Sequence, residues 1–409
     1  MKRLLKVLAL ALSFTLLAAG CGDDDSEPST APGFDGTTIK IGVVNDFTGP
    51  VAIIGNPLHK GSMTFYDWTN AQGGIAGKYQ IEVVEGDSTY NPTVALQVYN
   101  EIKDDVAMIG NLLGTPIVNA ALETLAADGL LAIPASLDAA WVRQPNLVPL
   151  GAPYQVQAIN GIDWWINEGG GSVDQVYCSF IQDDPYGEAG QQGLDFIAEA
   201  LGITIADTAR YVSGDTDFSA QVQQLQGSGC EVVWLTSTPS VTGGALGAAA
   251  QSEFTPVWLG NSPVWINVLA DSALAPYLQA YLIIIGEGAT WADPDVPGMV
   301  RLVERLETYY PEQPPDYYFQ FGYAMAQLTV KVLEKAAANG DLSREGIQKA
   351  STQIGDFDYD GLFGMYKYGT AAEREPSRSN TIYRVNPEVP NGVEAVTIFQ
   401  SSHAADFDF

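Results

Sequence analysis

Histidine is almost missing from this sequence: of its 409 residues only His59 and His403 are histidines. Cysteine is scarce, with Cys21, Cys178 and Cys230 alone. Basic residues number 19 against 49 acidic ones, a formal net charge of −30. No Gly-x-Ser-x-Gly elbow, phosphate-binding glycine loop or dinucleotide fingerprint occurs. Each shortage excludes something. A chain without a basic face does not bind a phosphate backbone, so no nucleic acid partner is expected. His59 falls in a helix and His403 in the terminal tail, so neither points to a metal or acid–base centre. Asp356-Phe357-Asp358-Tyr359-Asp360-Gly361 has the alternating acids and sixth-place glycine of a calcium loop. Its twelfth position is Lys367 where a bidentate carboxylate is needed, so calcium is not expected. The expectation is a protein that is not an enzyme, with no cofactor and no metal.

What is present describes an ordinary core-forming chain, 46% hydrophobic and 17% charged. Its length predicts two lobes. Residues 1–20 read as a signal peptide: Met1–Lys6 is positive, Val7–Leu17 is apolar and too short to span a bilayer. Ala18-Ala19-Gly20-Cys21 resembles a lipobox, which makes Cys21 the lipidation site; the alternative is an ordinary cleaved signal with an incidental cysteine. Residues 21–36, rich in Asp, Ser and Pro, read as a flexible tether. No later run is long and apolar enough for a membrane span. The expected location is extracytoplasmic, lipid-anchored to the bacterial cell membrane. In that oxidising setting Cys178 and Cys230, each in or beside a strand-like run, are either a disulfide between neighbouring strands or two buried thiols.

The stretch Thr38–Ser88 sets the pattern: an apolar β-branched run, Ile39–Val44, a Gly/Pro loop, a helix from about Pro57 to Asn70, and a second run, Gln80–Glu85. Such βαβ units build parallel sheets. Strands and helices then alternate as far as Pro134, pause around Pro149–Tyr154, and resume. The second series has strands Val176–Ile181, Ala206–Tyr211, Val232–Leu235 and Val257–Leu259. Its helices are Gln155–Glu168, Gly187–Leu201, Phe218–Gly227, Gly243–Ser252 and Trp265–Ala270. Tyr281–Gly286 carries the chain back. Helices Met299–Tyr310 and Tyr318–Ala338 follow, then strand-like pieces at Phe363–Tyr366, Thr381–Val385 and Val396–Phe399. The fold class is α/β with doubly wound lobes.

Three phrases carry a family resemblance: Ile39-Lys40-Ile41-Gly42, Thr48-Gly49-Pro50 and Asn70-Ala71-Gln72-Gly73-Gly74-Ile75-Ala76-Gly77. In this order and spacing they resemble the opening of the type I periplasmic binding proteins, nearest to the leucine/isoleucine/valine-binding receptors of ABC transporters. Asp183-Asp184-Pro185-Tyr186-Gly187 and Asp217-Phe218-Ser219 are similar to later motifs of that family. The resemblance implies two Rossmann-like lobes joined by three crossovers, the third near Asp356–Gly361. Lobe one is then 37–152 with 286–356, and lobe two is 153–285 with 357–409. It implies a binding protein for a small solute (an amino acid, amide or small organic acid), ABC permease subunits as partners, and contact with the membrane through the lipid anchor. A ligand-sensing surface receptor of the same fold is the alternative; a surface hydrolase ranks behind both.

Ligands of open parallel sheets sit beyond the carboxyl ends of the strands. The resemblance implies an amino-acid carboxylate held by hydroxyls and backbone donors of lobe one, an acid of lobe two for the ammonium, and covering aromatics. In this sequence Gly114 takes the first hydroxyl's place and Thr115 follows it. Ala135 and Ser136 supply a backbone donor and a hydroxyl, and Leu137 stands where a threonine is expected. Tyr186 matches the family tyrosine, Thr238 replaces a second one, Ser262 replaces the acid, and Ile54 replaces an aromatic. A buried ammonium without a counter-charge is costly. Either Asp46 or Asp183 takes that part, or the solute is less charged: an amide, an aromatic or aliphatic acid, or a polyol-like compound. Of the remaining aromatics, Trp141, Trp265, Trp291 and Tyr317 among them, Tyr90 and Tyr318 are the preferred ligand contacts.

Overall fold

Short apolar runs rich in branched residues form the strands, because such side chains fit a pleated surface covered on both faces. The computed structural model describes residues 30–409. In the first series β1 is Thr38–Asn45, α1 Ala52–Ala71, β2 Gln80–Asp87, α2 Pro92–Ile102, β3 Met108–Leu113, α3 Thr115–Asp128 and β4 Ala132–Ala135. The second comprises α4 Tyr154–Trp164, β5 Tyr177–Gln182, α5 Pro185–Leu201, β6 Ile205–Tyr211, α6 Ser219–Gly227, β7 Val232–Thr236, α7 Pro239–Gln251, β8 Val257–Asn261, α8 Ala275–Tyr281 and β9 Leu282–Gly286. Then come α9 Pro297–Tyr309, α10 Tyr317–Ala338, α11 Arg344–Ser351, β10 Gly355–Phe357, β11 Tyr366–Tyr368, β12 Asn380–Val385, β13 Val393–Phe399 and α12 Ser402–Asp406.

The strands make two main sheets. One has the order β2-β1-β3-β4 and is wholly parallel. Pro134 sits in β4, an edge strand, where the missing N–H costs no interior ladder bond. The other has the order β13-β12-β9-β8-β7-β5-β6, in which β12 alone runs antiparallel, pairing so with both β9 and β13. Helices α1 and α10 pack closely on the first lobe. A Cβ on Gly61 would lie 2.0 Å from the Phe319 carbonyl oxygen, and one on Gly322 only 1.8 Å from that of Leu58. Only glycine permits that approach.

Cys178 and Cys230 form a disulfide, with Cα atoms 5.8 Å apart. The three crossovers are tied to one another. The Ala152 N–H donates to the Glu287 carboxyl at 2.6 Å, the Asn380 amide donates to the Gly286 carbonyl at 3.0 Å, and the Tyr383 hydroxyl donates to the Gly288 carbonyl at 2.7 Å.

Several sequence expectations need correction. Residues 1–29, where the signal peptide and the lipidation site Cys21 are expected, lie outside the described residues. Residues 33 and 34, expected as tether, belong to the fold: Phe34 is buried against Tyr79, and the Lys40 N–H donates to the Gly33 carbonyl at 2.7 Å. The first helix starts at Ala52, ahead of Pro57. Trp265–Ala270 is not a helix. Trp265 and Ile266 are extended and only Asn267–Leu269 makes a turn, because the Asn267 amide donates to the Pro315 carbonyl at 2.7 Å and the Trp265 indole to the Asn391 carbonyl at 3.1 Å. The third crossing comes later than Asp356–Gly361. β10 and β11 pair with each other, and Tyr359, Phe363, Tyr366 and Tyr368 bury their rings in the first lobe's core. Arg374 still donates to the Gln144 carbonyl of that lobe at 2.8 Å, so the crossing lies between Arg374 and Asn380.

Candidate functional site

The carboxyl ends of β1, β3 and β4 face those of β5, β7 and β8 across a narrow cleft. Its cavity volume is about 50 Å3. One buried water needs about 10–15 Å3 on that measure, so the room suits a few waters or one small solute.

Helix starts aim the side chains. Gly114 has φ 106°, a conformation glycine adopts freely, and it turns β3 into α3. A Cβ there would lie 2.6 Å from the Tyr90 ring. Thr115, next in the chain, shares a hydrogen bond with Ser136 at 2.6 Å. Ser136 in turn meets the Tyr154 hydroxyl at 3.2 Å. This row of three hydroxyls crosses from lobe one to lobe two. Asp184 caps α5 by accepting the Tyr186 N–H at 2.8 Å, which fixes where the Tyr186 ring points. That ring packs edge-on against Tyr154, with centroids 5.1 Å apart. Asp316 caps α10 in the same way, accepting from Tyr318 and Phe319 at 2.7 and 3.1 Å. Burial pushes the Asp316 carboxyl up to about 7.

The structure brings most of the sequence-derived residues together. Tyr90, Gly114, Ala135, Ser136, Tyr186, Thr238, Ser262 and Tyr318 all line the space. Thr115 stands one bond behind, through Ser136. Ile54 and Leu137, standing in for an aromatic and a threonine, line it as apolar wall. Asp46 is a correction. It is fully buried outside the cavity lining, and its carboxylate accepts the Gly49 and Val51 N–H groups at 2.5 and 2.8 Å. It therefore shapes the loop and start of α1, which present Val51 and Ile54 to the cavity. Asp183 pairs with Arg210 at 3.1 Å on the surface. Trp141 lies in the first lobe's core, its indole donating to Asn119 at 2.8 Å. Tyr154 was missed as a site residue, although it stands at the crossover where the apolar rhythm pauses. Tyr317 also lines the space, as does Phe321.

No Asp, Glu, Lys, Arg or His is among the residues lining this space. Its polar groups are hydroxyls, and burial holds the Tyr90, Tyr154 and Tyr186 phenols in their neutral form. Further bonds close the cleft: the Gln182 amide donates to the Tyr90 hydroxyl at 3.4 Å, and the Tyr318 hydroxyl donates to the Pro263 carbonyl at 2.8 Å. Chemically, the arrangement is an apolar chamber with a row of hydroxyls at one end.

Comparison with known proteins finds relatives in family, sequence and fold. Residues 38–392 match the family described as periplasmic binding protein. An amino acid binding protein of Pseudomonas aeruginosa is 25% identical over 311 residues, 74% of this chain and 79% of the relative. A Leu/Ile/Val-binding protein homolog of Brucella abortus is 23% identical, covering 85% and 88%. Among solved structures, a fatty acid ABC transporter substrate-binding protein from Thermomonospora curvata superposes with a TM-score of 0.87 at 27% identity, over 93% of this chain and 96% of that one. A branched chain amino acid ABC transporter protein from Thermus thermophilus with bound valine gives 0.78 at 17% identity, over 90% and 98%.

Proposed function

Because this chain belongs to the periplasmic binding protein family, which binds solutes rather than transforming them, we propose that it is the extracytoplasmic receptor of an ABC importer for a small monocarboxylic acid with an apolar aliphatic or aromatic body. In this reading Cys21 carries the lipid anchor and the permease subunits are the partners. The observation that carries the solute class is the Thr115–Ser136–Tyr154 row of hydroxyls in and behind the wall of a mostly apolar, uncharged chamber. Hydroxyls donate well to a carboxylate. Aliphatic and aromatic walls reward an apolar body by about 0.8 kcal/mol per buried methylene.

The resemblance to a fatty-acid-binding relative supports this chemistry. The amino-acid-binding relatives suggest a zwitterion instead, but no carboxylate lines the chamber to hold its ammonium group. Residues of both lobes and of the crossovers surround the space, so a bound solute favours the closed arrangement.

Thermal unfolding against aliphatic acids, aromatic acids, their amides, branched-chain amino acids and polyols tests the proposal. A solute at a hundredfold over its dissociation constant stabilises by about 2.7 kcal/mol. Stabilisation by monocarboxylic acids supports the reading. Stabilisation by leucine or valine alone, or by polyols alone, overturns it.

A further inference from the structure

Behind the wall formed by Ser262 and Tyr317 lies a second chamber with a cavity volume of about 30 Å3, room for roughly two or three waters or one very small solute. Its polar lining includes buried carboxyl, amide and hydroxyl oxygens. Glu287, Asn391 and Ser262 are 4%, 8% and 3% exposed. The Asn391 Oδ1 atom has no hydrogen-bond partner, and beside Ser262 Oγ stands only the Tyr317 hydroxyl. One Glu287 oxygen accepts the Ala152 N–H at 2.6 Å; the other has the Tyr317 hydroxyl at a distant 3.5 Å. A buried oxygen without a donor costs about 1–3 kcal/mol. No Lys, Arg or His lines the chamber to balance the carboxyl. The indoles of Trp265 and Trp291 complete the wall, and aromatic faces attract cations. Ala289 and Thr290, partly exposed, stand at its outer side.

We propose that this chamber is a second binding site, for a small organic ammonium ion. Glu287 supplies the counter-charge, Asn391 Oδ1 and Ser262 Oγ accept the remaining N–H groups, and the indoles cover the alkyl part. The two chambers share the Ser262 and Tyr317 side chains, and Glu287 lines the second alone.

Burial pushes the Glu287 carboxyl up to about 8, so it holds its proton at neutral pH while the chamber is empty. Ionisable groups near it are the phenols of Tyr154, Tyr317, Tyr359 and Tyr383, all kept neutral by burial. An entering ammonium therefore displaces that proton to solvent: the acid O–H bond breaks, the carboxylate stays, and the ion pair replaces the neutral acid.

Isothermal titration with methylammonium chloride at pH 7.0, in phosphate and in HEPES, reads affinity and proton release together. The expected result is saturable binding with release of most of one proton per ion. Glu287→Gln, which has the shape of the protonated acid, should weaken binding by at least about tenfold and release none. Asn391→Ala should weaken it several-fold while proton release persists, and a cooperative melt confirms that each variant folds. No saturation by 50 mM means the chamber holds water only and overturns the proposal. So does unchanged affinity in both variants, or binding without proton release. The carboxylic-acid panel for the first chamber fails or succeeds independently of this result.

Discussion

The Tyr186 hydroxyl donates a hydrogen bond to the side-chain oxygen of Asn261, 3.0 Å away. It joins the start of α5 to the end of β8, so two loops of lobe two move as one. Tyr186→Phe keeps the ring but leaves the Asn261 oxygen unpaired in a buried place, at a cost of about 1–3 kcal/mol by urea unfolding. Solute affinity should change by less than roughly threefold, because the ring forms the wall. Tyr186→Ala removes the wall and should weaken binding by about tenfold or more. Equal affinity for all three proteins, by titration with the best solute of the panel, would dismiss Tyr186 as a ligand contact.

The row of hydroxyls makes a sharper prediction. Ser136→Ala removes its middle member and should weaken a carboxylate solute by about tenfold to a hundredfold, the value of one or two charge-assisted hydrogen bonds. The matching amide should lose less, since its bonds are neutral. An equal loss for both would mean that Ser136 only supports the packing around it.

The Cys178–Cys230 bridge closes a loop with a sequence separation of 52. Chain entropy assigns such a loop up to about 4 kcal/mol. Replacing both cysteines by serine should lower the denaturant midpoint accordingly. Affinity should stay the same, because neither cysteine lines the cleft. A variant with unchanged stability would show that the reduced chain is already as constrained.

Two buried acids give stability a pH dependence of unusual sign. Burial pushes Glu287 from its ordinary 4.5 to about 8, and Asp316 from 3.8 to about 7. Between the lower and upper values the folded chain holds these protons and the unfolded chain does not, so their contribution falls as pH rises. It is complete below about pH 4 and gone above about pH 8. For a single carboxyl, stability falls by about 1.4 kcal/mol for every pH unit crossed in that window. Glu287→Gln cannot ionise, so between pH 5 and pH 8.5 it should gain a few kcal/mol relative to the parent. Parallel curves in urea unfolding across that range would refute the assignment.

The strands were plain in the sequence wherever branched apolar runs sat between turns, as at Ile39–Val44 and Val232–Leu235. The order of the strands was not, because pairing is decided between distant segments. The failures have one cause: tertiary bonds outweighed local preference. Trp265–Ala270 has a helical look, but its indole and amide are committed to Asn391 and Pro315. Asp46 carries the charge expected of a ligand group, yet its oxygens are taken by its own loop. Most of the cleft lining was legible because loops at strand ends converge in any open parallel sheet. Glu287 was not, since it lies on a crossover, where no periodicity marks a residue.

The tight contact of Gly61 with Phe319 and of Gly322 with Leu58 also bears on how the chain assembles. When the polypeptide emerges amino end first, α1 waits for a partner that begins only at Tyr317. All five parallel strands of the second sheet are available before that partner exists. The parallel core of the later lobe thus exists before the first lobe can close, and only its β12–β13 edge follows α10. Until α10 arrives, the apolar side of α1 is the surface on which a holding chaperone would settle and a protease would first bite.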